Sequence, residues 1–173
     1  MNVYKKMGMI FLIFFCTWVG FSKALDLKKR RNCLECFDRV LLLLRGEIEF
    51  EINGLPEIFL RLGKKNLFEF TEILDHIGRR LMQCKNERIG EIWKQEISKK
   101  NWKYLKEEDI HLIKAVGDDL GCTDKKMQIA ILDLHRKRLQ EQIGNARQCE
   151  EANKKVYRGM GLIAGLFLAI LVW

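Results

Sequence analysis

Pro56 is the only proline in these 173 residues. Proline removes a backbone donor and breaks helix interiors, so a chain with a single proline has little to interrupt long helices. Around Pro56, apolar positions recur at 3-and-4 spacing among Lys, Arg, Glu and Gln, all good helix formers. The spacing predicts a first helix from Cys33 to Ile52, with Phe37, Val40, Leu41, Leu44 and Ile48 on one face. Asn53-Gly54-Leu55-Pro56 ends it, since Gly suits a C-terminal cap and Pro a first helical turn. A second helix is predicted from Pro56 to Cys84, with Gly63 able to loosen it or split off a first turn. The region from Asn86 to Leu120 is interrupted at Ser98-Lys99-Lys100-Asn101 and reads as one bent helix or two short ones. A last helix is predicted from Thr123 to Val156, with Met127, Ile131, Leu132, Leu134, Leu139, Ile143 and Ala146 inside. Short connections point to an all-α, up-and-down four-helix bundle over residues 25–156.

Both ends are apolar. Lys5 and Lys6 precede an apolar run at residues 9–21, and Ser22-Lys23-Ala24 supplies small residues at the positions a signal peptidase reads. Residues 1–24 are therefore expected to be a signal peptide. An uncleaved signal anchor, flanked by Lys28, Lys29, Arg30 and Arg31, is the competing reading. At the other end, Gly159 to Trp173 carries no charge. Residues 157–173 are expected to form a single-pass membrane anchor, with a lipid-anchor signal as the alternative. Gly161-x-x-x-Gly165 is a weak signal for helix packing in the bilayer.

Cleavage would remove Cys16 and leave five cysteines. In an exported chain, Cys33-Leu34-Glu35-Cys36 reads as a disulfide anchor rather than a redox or zinc motif. A redox motif needs an alternating α/β pattern, and a zinc site needs a second close pair or His at ligand spacing. His76, His111 and His135 are isolated. An up-and-down bundle would bring Cys33, Cys36, Cys84 and Cys149 to one end as disulfide candidates, with their pairing open. It would leave Cys122 at the other end as a free or intermolecular thiol.

The net charge of +8 falls by three when Lys5, Lys6 and Lys23 are removed. The remaining basic residues are dispersed among acids, which is no nucleic-acid footprint. The chain has no phosphate loop, no nucleophile elbow and no His-Glu-x-x-His. Neither catalysis nor a cofactor or metal is expected.

Arg31-Asn32-Cys33-Leu34-Glu35-Cys36-Phe37, together with the signal peptide, the bundle and the C-terminal span, resembles the mature N-terminus and layout of the Izumo sperm–egg fusion family. The resemblance implies a membrane-tethered adhesion protein of gamete surfaces, in the secretory pathway and at the cell or acrosomal membrane, with its bulk extracellular or lumenal. Its partner would be a protein on the same or an opposing cell surface. The working surface would be the membrane-distal end, around Asn53, Gly54, Leu55, Pro56, Asp118 and Asp119. Two other classes compete. One is a structural or assembly subunit of a membrane complex, including a homodimer through Cys122 or the Gly161-x-x-x-Gly165 span. The other is a helical cytokine-like ligand.

Overall fold

The structure is a computed structural model. It describes the backbone of residues 3–50, 54–83, 87–121 and 124–172, with side chains at residues 22, 25–50, 54–83, 87–121, 124–153 and 156. Among the described residues there are six helices: α1 (Val3–Phe50), α2 (Leu55–Leu62), α3 (Phe70–Gln83), α4 (Ile89–Lys99), α5 (Glu107–Asp119) and α6 (Lys125–Val172). Among the described residues there is no strand. The all-α expectation is met, but the body has six helices where four were predicted.

The extra breaks have local causes. The predicted second helix divides at Gly63 to Glu69, where the chain doubles back. The Gly63 N–H donates to the Phe59 carbonyl at 2.8 Å and closes α2. The Thr71 hydroxyl then holds the turn: it accepts from the Leu67 N–H (2.9 Å) and donates to the Lys65 carbonyl (3.2 Å). Two glycines let the resulting hairpin close. A Cβ on Gly63 would lie 2.8 Å from the Asp75 backbone, and one on Gly78 would lie 2.8 Å from the Leu60 nitrogen. The third region divides at Lys100 to Lys106. The Trp102 indole N–H donates to the Ile97 carbonyl (2.9 Å), satisfying one of the orphan carbonyls that end α4. The Asp109 carboxylate accepts from the Lys106 N–H (2.9 Å) and starts α5.

The chain falls into two compact units. Residues Arg31–Gly144 form the body. Met1–Arg30 together with Asn145–Trp173 form the other unit, in which Arg30, Ala146 and Glu150 are buried and Cys149 is exposed. The body is built around a ring cluster. Phe37 lies 5.1 Å from Phe70 and 6.2 Å from Trp93, Phe59 lies 6.1 Å from Trp93, and Phe70 lies 5.4 Å from Trp102, between ring centroids. Leu34, Leu41, Leu44, Leu62, Leu74, Ile77, Ile92 and Ile97 fill the space around the rings, each fully buried.

Charged pairs set the α1 register in the body. Glu47 accepts from Arg61 (3.0 Å) and Lys65 (3.2 Å) on the α2 side. Arg45 reaches Asp133 (2.9 Å), and Arg136 reaches Asp38 through two nitrogens (3.1 and 3.2 Å) on the α6 side. These partly exposed pairs orient helices more than they stabilise them.

Among the described residues no helix is long and apolar enough to cross a membrane. The backbone of α1 runs unbroken through Ala24, the expected cleavage point. The side chains of the apolar runs at 9–21 and 159–173, on which the signal-peptide and anchor expectations rest, lie outside the described residues.

Candidate functional site

The cysteine pair that opens the body lies on α1, and the structure places its two thiols in different surroundings. Cys33 is fully buried among the core side chains. Burial first, then the neighbouring Glu69 carboxylate and the Cys36 sulfur, push its thiol up to about 12. It is therefore a protonated, apolar filler, not a nucleophile. Cys36 is half-buried, and its thiol donates to the Leu67 carbonyl (3.2 Å), tying α1 to the α2–α3 turn. Burial raises this thiol too, with Arg39 opposing.

Cys36 also lines a cavity of about 360 Å³, together with Asn32, Glu35, Arg39, Asn66 and Phe68. Two of these residues stand out. Phe68 has φ of 50°, the left-handed region where side chains larger than that of Asn are crowded. The residue is 64 % exposed. Arg39 is exposed and makes no ion pair among the described residues. Neither was singled out from the sequence. A continuous second helix would have made Phe68 an ordinary helical position, and only the polar run Lys64-Lys65-Asn66 hinted at a turn.

Cys33, Cys36 and Cys149 are free thiols in the structure, while Cys84 and Cys122 lie outside the described residues. The thiols should therefore differ in reactivity. At pH 8, iodoacetamide should modify exposed Cys149 first, Cys36 slowly and Cys33 only on unfolding, as read by peptide mass spectrometry. The pH dependence has a definite sign. Below pH 9.0 both folded and unfolded chains keep the Cys33 proton; above it the unfolded chain loses the proton and the folded one does not. Stability should fall as pH rises from 9.0 towards 12.

The predicted partner surface is split between two helix ends. Gly54, Leu55 and Pro56 start α2, with Gly54 exposed and the other two half-buried; Asn53 lies outside the described residues. Asp118 and Asp119 close α5 and are engaged there. Asp118 pairs with Lys94, and Asp119 meets Nε2 of buried His135 at 2.7 Å. A third polar cluster joins α3 to α4. Glu96 is only 5 % exposed and accepts from Lys99 (2.5 Å) and Arg80 (3.1 Å). Burial raises its carboxyl, but the hydrogen bonds and positive charges of Lys99 and Arg80 together outweigh burial and hold it below the usual carboxylate range. This contribution to stability is present above the ordinary carboxylate pKa and is lost as pH falls through the lowered value. Among the described residues no group of three His, Cys, Asp or Glu side chains could hold a metal ion.

What fold and site define is an all-helical body joined by interlocking helix pairs, with the strained Phe68 presented at the surface. The chain matches the family described as Stage III sporulation protein AB over residues 5–173, and it belongs to that family. It is similar to Stage III sporulation protein AB of Bacillus subtilis (strain 168), at 24 % identity over 170 residues, which cover 97 % of this chain and 98 % of that protein. No solved structure matches the chain.

The match overturns the sperm–egg resemblance. A short similarity around Cys33 and Cys36 gives way to one over residues 5–173. Gamete adhesion, fertilization and a eukaryotic secretory or acrosomal location go with it, because the family is one of bacterial sporulation. The cysteine spacing misled because a Cys-x-x-Cys on a helix has the same appearance whether it bonds, ligates or packs.

Proposed function

We propose that this protein is a structural subunit of a membrane-associated assembly that works in sporulation. The observation that carries this reading is the extent of the family match. It runs from residue 5 to residue 173 and so includes both apolar ends, which supports treating them as working parts of the protein. The relative's printed name supplies the process, sporulation at stage III. The interlocked body supports a scaffold role, since its polar side chains serve mainly to hold one helix to the next.

The charges around the apolar ends favour one orientation. Lys23, Lys28, Lys29, Arg30 and Arg31 follow the first run, against Lys5 and Lys6 before it. Arg147, Lys154, Lys155 and Arg158 precede the second. Basic residues collect on the cytoplasmic side of membrane segments. On this reading the body faces the cytoplasm, the reverse of the lumenal placement expected from a signal peptide.

Deleting the gene from its own host should sharply lower the number of heat-resistant spores, and a wild-type copy should restore it. Unchanged spore numbers would remove the functional reading. A membrane-impermeant maleimide should label Cys149 only after cell lysis. Labelling in intact cells would reverse the orientation.

A further inference from the structure

We infer that the Phe68 face of the body pairs two copies of this chain across a two-fold axis. Three hydrogen bonds fix the turn around Phe68. Thr71 accepts from the Leu67 N–H and donates to the Lys65 carbonyl, and the Cys36 thiol donates to the Leu67 carbonyl. Together they hold an aromatic residue at φ of 50°, a backbone conformation that Gly or Asn adopts with less strain. Burial does not offset that strain, because Phe68 is 64 % exposed. A rigid turn thus presents an apolar knob. Such strain, where the surroundings over-determine it, marks sites of binding and switching.

The knob forms part of the wall of the hollow of about 360 Å³, at its edge with solvent. A knob and a hollow on the same face are self-complementary under a two-fold rotation, because each ring can enter the partner's hollow. Charge favours the same occupant. Arg39 lines the hollow without an ion pair among the described residues, and Glu35 lies one helical turn away on the same stretch of α1. Two antiparallel copies of this stretch would set each Arg39 against the partner's Glu35. An unrelated acidic segment would be repelled by Glu35, whereas a second copy uses both charges. The pairing rests on the subunit reading for its place in an assembly. Its test reads particle mass, which does not depend on whether spores form.

The experiment is sedimentation equilibrium of the full chain in a mild detergent across a wide concentration range. Wild type should show a monomer–dimer equilibrium. Phe68→Gly should melt no lower than wild type, since it relieves the backbone strain, yet weaken pairing by about 10- to 100-fold through loss of a buried ring. Glu35→Arg alone and Arg39→Glu alone should each stay monomeric, while a 1:1 mixture of the two should dimerise. The proposal fails if wild type is monomeric throughout, if Phe68→Gly pairs as tightly as wild type or melts well below it, or if the charge-reversed mixture does not pair.

Discussion

Trp93→Ala should destabilise the body by about 3–5 kcal/mol, the largest single effect expected in this chain. The indole is fully buried and lies within 6.2 Å of Phe37 and 6.1 Å of Phe59, ring to ring. Its N–H donates to the Ile113 carbonyl at 2.7 Å, so α4 carries the ring and α5 receives its hydrogen bond. Truncation would open a cavity at the junction of α1, α2 and α4 and remove the hydrogen bond that the indole adds to a helical carbonyl of α5. Against a total stability of roughly 5–15 kcal/mol, the remaining fold would be marginal. Urea unfolding followed by circular dichroism measures the loss. A change below about 1 kcal/mol would mean that the ring is not central to the core.

Gly117→Ala should also destabilise, by about 1–3 kcal/mol, although alanine is the better helix former. The new Cβ would lie 2.5 Å from Trp93 Cδ1, 2.7 Å from Cγ and 2.9 Å from Cβ. The indole cannot retreat, because its N–H is held by Ile113 and neighbouring rings pack against it. Moving α5 outward would instead open the close approach to α4, where a Cβ on Gly90 would fall 2.6 Å from the Gly117 carbonyl oxygen. Gly46 provides the control. It also lies within a helix, but nothing stands within 4 Å of a Cβ placed there. Gly46→Ala should stabilise by about 0.5–1 kcal/mol. Opposite signs for one chemical change would establish that helix–helix approach, not helix propensity, decides the Gly117 result. In a Trp93→Ala background the Gly117→Ala cost should shrink, since the clashing ring is gone.

The core was largely legible in the sequence because buried positions follow helical spacing wherever the helix is long. Phe37, Val40, Leu41, Leu44 and Ile48 lie buried on α1 as that spacing predicts. Of the α6 positions expected inside, only Leu132, Leu139, Ile143 and Ala146 are buried, whereas Met127 and Leu134 are exposed. The breaks were harder to read. The α2–α3 turn depends on Thr71 bonding back across the loop and on two glycines that meet backbone atoms of the facing helix, and neither contact leaves a periodic trace. Trp102 capping α4 is likewise a tertiary event. The site was less legible still. Cys33 and Cys36 were conspicuous by spacing, yet their chemistry is set by burial and by Leu67, thirty-one residues beyond Cys36 in the chain. Phe68 looked ordinary because a sequence does not display the sign of φ. The short stretch around Cys33 and Cys36 could not identify a family, whereas similarity spread over residues 5–173 could.

The subunit reading makes a direct claim about size. Membranes from sporulating cells, solubilised gently and resolved on a native gel, should carry this chain in a particle larger than its own dimer. The band should shrink when the assembly is dissociated by a harsher detergent. Migration only as monomer or dimer under the gentlest extraction would contradict the account.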